Sequence, residues 1–506
     1  MLNIFPKMDQ IEELAKESSL IPIYTELLAD LETPISAFSK IAYDENGKRK
    51  PYAFLLESAE GGENIGRYSF MGSEPIALIK RNGDDVVISG DKEKSFRTEE
   101  NTFGLLENYL KSYNQAKVEG LAPFSGGAVG YASYETIQEI EPRVQCKSKA
   151  DLGMPDAIFG IFDTIISFDR LKQKIQVIGH IDLAKYDLAQ GYKVAVEKIT
   201  ELVDKLTQPR SVSPVSLDDN VDALEATSNM TRERFHEMVL TAKEYIKSGD
   251  IIQVVLSQRF EVDVNPEPLD LIRSLRIINP SPYMFCLHMG DDFALVGASP
   301  EVHARGEDRV VTVRPIAGTR KRGANAAEDE ELAADLLADP KERAEHIMLV
   351  DLARNDVGRI VKTGSVDLTQ LMIIEKYSHV LHIVSEVTGE LKDDFGPGSV
   401  MSSTFPAGTV SGAPKIRAME IIAELEEERR GPYAGAVTYF SFDGNVDSCI
   451  AIRTAVLKNK KVYVQAGAGV VADSDPDFEY EETRNKARGM LVALNTASKI
   501  SSSNNL

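Results

Sequence analysis

The run FCLHMGDDFALVGASPEVHARGEDRVVTV, from Phe285 to Val313, reads as consecutive short strands. Apolar and β-branched residues fill its segments, and Gly290-Asp291-Asp292 and Gly306-Glu307-Asp308 supply the turns. Strands joined so tightly lie antiparallel, because a parallel pair needs a crossover of about a dozen residues or more. A second meander stands upstream at Tyr52–Glu57, Tyr68–Met71, Ile76–Lys80 and Val86–Ser89, with Asn82-Gly83-Asp84 as a hairpin turn. The stretches Gly72-Ser73-Glu74-Pro75 and Gly297-Ala298-Ser299-Pro300 resemble each other and hint at a duplicated sheet.

Around these meanders the remaining elements follow from periodicity. Residues 8–30 offer a short amphipathic helix and a strand near Ile21. Further strands are expected at Phe124–Tyr134, Ala157–Ser167, Lys174–Gly179 and Ile252–Phe260. Helices are expected at Phe103–Tyr113, at 183–206, from a Thr231 cap to Gly249, and at 328–350, 415–428 and 476–494. Strands in runs, then long helices, indicate an α+β fold rather than alternating βαβ units. Thr207–Asn229 loses apolar periodicity and is rich in Ser, Pro and Asp, so three regions are expected: a β-rich 1–206, a linker 207–230 and a second unit 231–506.

The formal charge of −22 over 506 residues opposes wrapping nucleic acid or lying on an anionic membrane, so an anionic ligand needs local cations or a bound metal. Three widely spaced cysteines, Cys146, Cys286 and Cys449, have no metal-ligand spacing and fit thiols in a reducing compartment. No run approaches the ~18 apolar residues of a spanning helix, and the first residues lack a signal-like apolar core, so a soluble, cytoplasmic protein is expected.

Acidic helix starts are the strongest chemical signal. In Asp475-Pro476-Asp477-Phe478-Glu479-Tyr480-Glu481-Glu482, an N-cap Asp and an N1 proline open a helix whose Glu479 and Glu482 share a face with Lys486. Asp339-Pro340-Lys341-Glu342-Arg343-Ala344-Glu345 repeats the arrangement. If the two starts face each other, their carboxylates form an oxygen-rich site for a hard divalent ion, Mg2+ by preference, with Glu345 and Glu482 as direct ligands and Glu342 and Glu479 beside them. Taken singly, each start is explained by helix capping and the dipole. Arg453 lies in Cys449–Leu457, where alternation places it between alanines as a carboxylate clamp or a structural ion pair. Gly467-Ala468-Gly469 lets backbone N–H groups approach an anion, or else marks a bulge. The loop Phe405–Lys415, which includes Thr409, opens a helix whose start suits an anion, and Gly318-Thr319 ends a strand with an N–H and a hydroxyl.

PIAGT (315–319), AEHIMLVDLARND (344–356), FPAGTVSGAPK (405–415), GAGVVADSDP (467–476) and the ExxETxNKA pattern from Glu479 together resemble the chorismate-using enzymes, most closely the large subunit of anthranilate synthase. The match is strongest from Thr231 to Leu494 and visible in LLES (55–58) and GRYSF (66–70). The resemblance implies antiparallel sheets packed as a sandwich with helices on the outer faces, a regulatory N-terminal region and a catalytic C-terminal one. It assigns Glu345 and Glu482 to Mg2+, and Gly318, Thr319, Thr409, Tyr433, Arg453, Gly467, Ala468, Gly469 and Lys486 to chorismate. The reaction implied is a lyase reaction: amination of chorismate at C2, loss of the C4 hydroxyl and elimination of pyruvate. Glu301 is then the general acid, and His382 belongs to the elimination step. Gln253 stands where isochorismate-forming relatives carry a water-activating lysine, and an amide is no base. Ala317 stands where aminodeoxychorismate synthases carry a nucleophilic lysine, which disfavours the para-amino product. A glutamine amidotransferase small subunit, in a complex of two large and two small chains, is the implied partner. Tryptophan is the implied inhibitor, at Ser58, Pro282, Tyr283 and Met284. A catalytically silent scaffold of the same fold is the competing reading, disfavoured because each expected ligand is present.

Overall fold

The computed structural model describes residues 2–58, 66–90, 93–146, 149, 152–210, 221–377 and 380–504. Two 12-stranded sheets, antiparallel throughout their pairings, lie face to face. The first runs in space as Leu20–Leu28, Lys174–Asp182, Ile165–Asp169, Tyr68–Ser73, Tyr52–Glu57, Tyr283–Met289, Phe293–Ser299, Thr454–Lys458, Lys461–Val470, Gln253–Val262 and Thr227–Ser228. The short Gly412–Ala413 pairs beside Gln253. The second runs as Ile316–Lys321, Val380–Glu390, Val310–Val313, Val302–Glu307, Val446–Ile450, Ala436–Ser441, Gly127–Ala132, Ala157–Phe162, Ala77–Asn82, Asp85–Ser89 and Lys94–Arg97, with Asp367–Lys376 also paired to Val380–Glu390. Each sheet draws strands from both sides of residues 207–230, since Glu57 pairs with Met284 and Gly130 with Thr438.

Both faces of the central strands are buried, because side chains alternate between two cores. Phe54, Phe285, Leu287 and Leu295 of the first sheet meet Val129, Tyr131, Phe162 and Tyr439 of the second in an aromatic layer between the sheets. Their neighbours Leu55, Cys286 and Val296 turn outward to pack under helices that include Pro34–Ile41, Leu188–Thr207, Pro268–Ile278 and Pro476–Asn504. On the far side, Thr102–Lys111 and Pro397–Thr404 cover the second sheet, while Lys415–Leu425 packs against Gln253–Val262 of the first. The sandwich with outer helices is therefore the observed architecture.

Three expectations need correction. Ala157–Ser167 is not one strand but two, Ala157–Phe162 in the second sheet and Ile165–Asp169 in the first, with the chain crossing at Asp163-Thr164. Cys449–Leu457 is likewise divided: Val446–Ile450 lies in the second sheet and Thr454–Lys458 in the first, so the alternation read through Arg453 does not exist. A run apolar enough to be buried on both faces gives no mark in its periodicity of where it changes sheets. The helix expected at 328–350 is two, Ala326–Ala338 and Pro340–Gly358, because Pro340 cannot continue a helix from the turn before it. The helix Pro268–Ile278 and the strand Asp367–Lys376 were not foreseen, and part of the expected linker, 211–220, lies outside the described residues.

Gly130 sits where strands Gly127–Ala132 and Ala157–Phe162 approach closely: a Cβ there would stand 1.9 Å from the carbonyl oxygen of Ile158. Backbone has no flexible end that can yield. Gly130→Ala is expected to destabilise the chain by about 1–3 kcal/mol, read as a lowered Tm, and an unchanged Tm would show the strands are free to separate.

Candidate active site

Both acidic helix starts form as the sequence indicates. Asp339 caps Pro340–Gly358 by accepting from the Lys341 and Glu342 amides at 2.9 and 3.3 Å. Asp475 accepts from the Phe478 amide at 3.0 Å to start Pro476–Asn504. The two starts face each other. Lys341 and Lys486 both bear on Glu345 and on Glu479, although the two glutamates stand on different helices. Burial first, then Glu342, raises the Glu345 carboxyl; Gln253 beside it opposes the rise. Burial raises Glu479, with Ser474 opposing and Glu482 adding to it.

Each carboxylate has its own partner here. Lys486 Nζ is 2.5 Å from Glu482 Oε1, and Arg320 Nη1 donates to Glu342 Oε1 at 3.2 Å. Among the described residues no three acidic, His or Cys side chains stand close enough to cage an ion by themselves. The donors are nevertheless all hard carboxylate oxygens, two of them raised by burial and mutual repulsion, which suits a cation held by few protein groups and completed by water or a substrate oxygen.

Two further residues occupy the corners where the chain passes between sheets. Glu301 lies between Phe293–Ser299 of the first sheet and Val302–Glu307 of the second. Its carboxyl is pushed up to about 8, chiefly by burial, with the Thr409 hydroxyl and the Lys486 charge opposing. Arg453 occupies the return corner with φ +50°, a left-handed backbone that a strand does not adopt. Its guanidinium donates to the Lys486 carbonyl at 3.1 Å; burial lowers its pKa, with Tyr433 and then Glu482 favouring its charge.

Lys486 ties these parts together, donating also to the Gly467 carbonyl at 3.0 Å. Gly467, Ala468 and Gly469 run along strand Lys461–Val470, opposite Ser257, Leu256 and Val255. Side chains crowd the two glycines: a Cβ on Gly467 would lie 2.6 Å from Tyr433 Oη, and one on Gly469 2.6 Å from Gln253 Nε2. Tyr433 is buried, its hydroxyl pushed up to about 12 by desolvation, and Arg430 lies 5.6 Å from its ring centre. Gln253 is 6 % exposed and its Oε1 has no hydrogen-bond partner.

His382, Gly318 and Thr319 form one cluster, because Thr319 pairs with His382 across a bulge at Gly318. His382 Nδ1 is 2.8 Å from the Gly318 carbonyl and 3.2 Å from Thr319 Oγ1. A carbonyl only accepts, so Nδ1 carries the proton and Nε2 keeps its lone pair. Burial lowers the ring's pKa, which keeps it neutral at neutral pH. Lys415, by contrast, is held away from ligand work by Asp356 at 2.6 Å.

Ser58 and Pro282–Met284 come together elsewhere. Met284 pairs with Glu57, which puts Ser58 beside Tyr283 at the seam joining the two halves of the first sheet. Glu57 is fully enclosed between Arg170 and Arg276, and Arg170 also donates to the Ser58 carbonyl at 2.6 Å.

A chorismate binding enzyme family model matches residues 51–492. The chain belongs to that family. It is 44% identical to anthranilate synthase component 1 of Acetivibrio thermocellus over 98% of this chain and 99% of that one. It is 46% identical to the Synechocystis protein of the same name, over 98% of this chain and 100% of that one. The solved anthranilate synthase component I of Streptococcus pneumoniae superposes with TM-score 0.73 at 37% identity, covering 85% of this chain and 95% of that one. A menaquinone-specific isochorismate synthase of Escherichia coli, 17% identical with TM-score 0.68 over 96% of this chain and 98% of that one, shares the fold.

Within this cluster, Lys341, Ser474 and Arg430 were not foreseen. Lys341 was visible as the residue after an N1 proline, but its bearing on a distant helix was not. Gly469→Ala drives a methyl into the Gln253 amide, an overpacking that costs about 1–3 kcal/mol, and is expected to raise the KM for chorismate by displacing that side chain; an unchanged KM would detach that strand from the substrate.

Proposed function

We propose that this chain aminates chorismate at C2 with ammonia and releases pyruvate to leave anthranilate, the reaction named for its relatives. The observation that carries the reading is Glu301, a carboxyl poised to be protonated at neutral pH, grouped through Lys486 with two facing acidic helix starts. Chorismate's carboxylates are held by Arg453, Lys486 and the Gly467–Gly469 amides, with Gly318, Thr319, Thr409 and Tyr433 lining the ring. Glu345 and Glu482 would hold magnesium, with Glu342 and Glu479 beside them, supplying positive charge for a substrate carboxylate. Ammonia, already nucleophilic, attacks C2 near Gln253, and Glu301 gives its proton to the departing C4 hydroxyl. The neutral His382, with Nε2 free to accept, takes part in the later proton removal that releases pyruvate.

Ammonia comes from a glutamine amidotransferase subunit in this reading, in a complex of two large and two small chains. A glutaminase needs a reactive thiolate, whereas burial pushes the Cys146 thiol up to about 12 and raises Cys286 and Cys449 further. The purified chain with magnesium is expected to convert chorismate and ammonium to the ortho-amino product and to leave glutamine unused. A para-amino or hydroxylated product would overturn the reading, and glutamine-driven turnover by the chain alone would remove the need for a partner.

The Glu301 proton is present below about pH 8 and lost above it. At constant free ammonia, kcat is therefore expected to fall as pH rises through that value, and a flat profile to pH 9 would exclude Glu301 as the acid. Tryptophan feedback is proposed at Ser58 and Pro282–Met284, where a ligand between the paired strands alters the seam. Ser58→Arg is expected to abolish inhibition at saturating tryptophan while uninhibited turnover persists; equal inhibition of parent and variant would dismiss the site.

A further inference from the structure

Beside Glu301, bounded in part by helix Pro340–Gly358, lies a cavity of about 40 Å3 walled by Glu301 and Thr409 of the proposed site and reaching beyond them to His303 and Asp356. Its lining includes Glu301, His303, Asp356, Thr404 and Thr409. That volume admits water, which needs roughly 10–15 Å3, provided polar partners are present to hold it. Partners are present. His303 is 3% exposed, its Nδ1 is 3.3 Å from Ser448 Oγ, and its Nε2 is buried without a hydrogen-bond partner. The Thr409 hydroxyl is also buried without a partner of good geometry, although it lies near enough to Glu301 to oppose the rise in its pKa. At the far wall Asp356 and Lys415 form a largely buried pair, and Lys415 also donates to the Thr404 carbonyl at 3.2 Å.

Buried polar atoms are rarely left unsatisfied, and two facing one small cavity are best satisfied by a shared solvent molecule. We propose that this cavity holds internal water linking Glu301 to Thr409 and His303, and that this water returns a proton to Glu301 after each turnover. The inference rests on Glu301 being the general acid. Once Glu301 has protonated the departing hydroxyl, which leaves as water, it is a carboxylate that must regain one proton before the next turnover, matched by the one the added nitrogen sheds to solvent as it passes from R–NH3+ to R–NH2. A proton enters the water chain from bulk solvent, one O–H bond breaks as the next forms, and Glu301 ends neutral, with no oxidant or reductant required. Burial pushes the His303 ring down to about 4, with the Thr404 backbone opposing and the Lys415 charge adding to it, so the ring stays neutral and orients the water rather than supplying the proton. His303 is thus a positioning residue.

The test compares His303→Leu, which keeps bulk and removes the polar anchor, with His303→Gln, which keeps a hydrogen-bonding group. His303→Leu is expected to lower kcat by roughly tenfold or more with KM for chorismate unchanged, to raise the solvent isotope effect on kcat, and to be partly rescued by a small acid such as imidazolium. His303→Gln is expected to retain most activity. Parent-like kcat and isotope effect in His303→Leu would overturn the relay, as would a crystal structure of the parent at high resolution showing no water between His303 and Thr409. Glu301→Gln separates the two readings: if it remains active the acid assignment fails, whereas if it is dead and His303→Leu is normal, only the relay fails.

Discussion

A strand that leaves one sheet for the other must turn through the space between them, and its corner is then held by both sheets at once. The chain makes this crossing at Glu74-Pro75-Ile76, at Asp163-Thr164, at Pro300-Glu301 and at Ala451-Ile452-Arg453. The first two and the last two correspond. In the first sheet Tyr68–Ser73 pairs with Ile165–Asp169 as Phe293–Ser299 pairs with Thr454–Lys458. In the second, Ala77–Asn82 pairs with Ala157–Phe162 as Val302–Glu307 pairs with Val446–Ile450. The sandwich is a repeated unit joined at two seams, Tyr52–Glu57 against Tyr283–Met289 and Gly127–Ala132 against Ala436–Ser441. Only the second copy places a Glu directly after the corner proline and an Arg at the return corner; the matching places in the first hold Ile76 and Thr164.

This placement answers the charge problem of an acidic chain that takes a dianionic substrate. Long-range attraction is absent at a net −22, so binding depends on cations at contact distance inside a partly desolvated site. In the proposed reading Arg453 and Lys486 are those cations, and without a ligand Lys486 pairs with Glu482 at 2.5 Å. The same exclusion of water that strengthens them raises Glu301, Glu345 and Glu479, so one physical cause makes an acid and an oxygen-rich cradle together.

Local chemistry made much of this legible in the chain. The Asp-Pro helix starts, the Thr231 cap and the turns at Gly83 and Gly290 each depend on residues within one turn of one another and formed where read, whereas the turn read at Gly306–Asp308 falls at Asp308-Arg309. Crossings were not legible, because the strand residues of Ala157–Asp169 and Val446–Lys458 are mostly buried on both faces whichever sheet they join. The likeness of Gly72–Pro75 to Gly297–Pro300 was noticed as a turn, yet its meaning as a matched pair of sheet crossings needed the pairing register. Pairing also explains His382, whose proximity to Gly318 and Thr319 comes from strands separated by some 60 residues and a bulge.

The register further joins the Ser58 seam to the catalytic corner mechanically. Tyr283 pairs with Ser299, only two residues before Glu301, and its hydroxyl donates to Asp447 at 2.9 Å while accepting from Arg305 at 3.2 Å. Asp447 and Arg305 belong to the second sheet, on the strands that flank Glu301 and lead to Arg453. The Ile450 amide closes the loop by donating to the Glu301 carbonyl at 3.1 Å. A shift of Tyr283 therefore reaches Glu301 along its own sheet through Ser299 and across to the other through Arg305. Packed interiors transmit such shifts rather than absorbing them, since there is little free volume to take them up. In the proposed regulation, a ligand that moves the seam would reposition the acid corner through these contacts without touching the substrate.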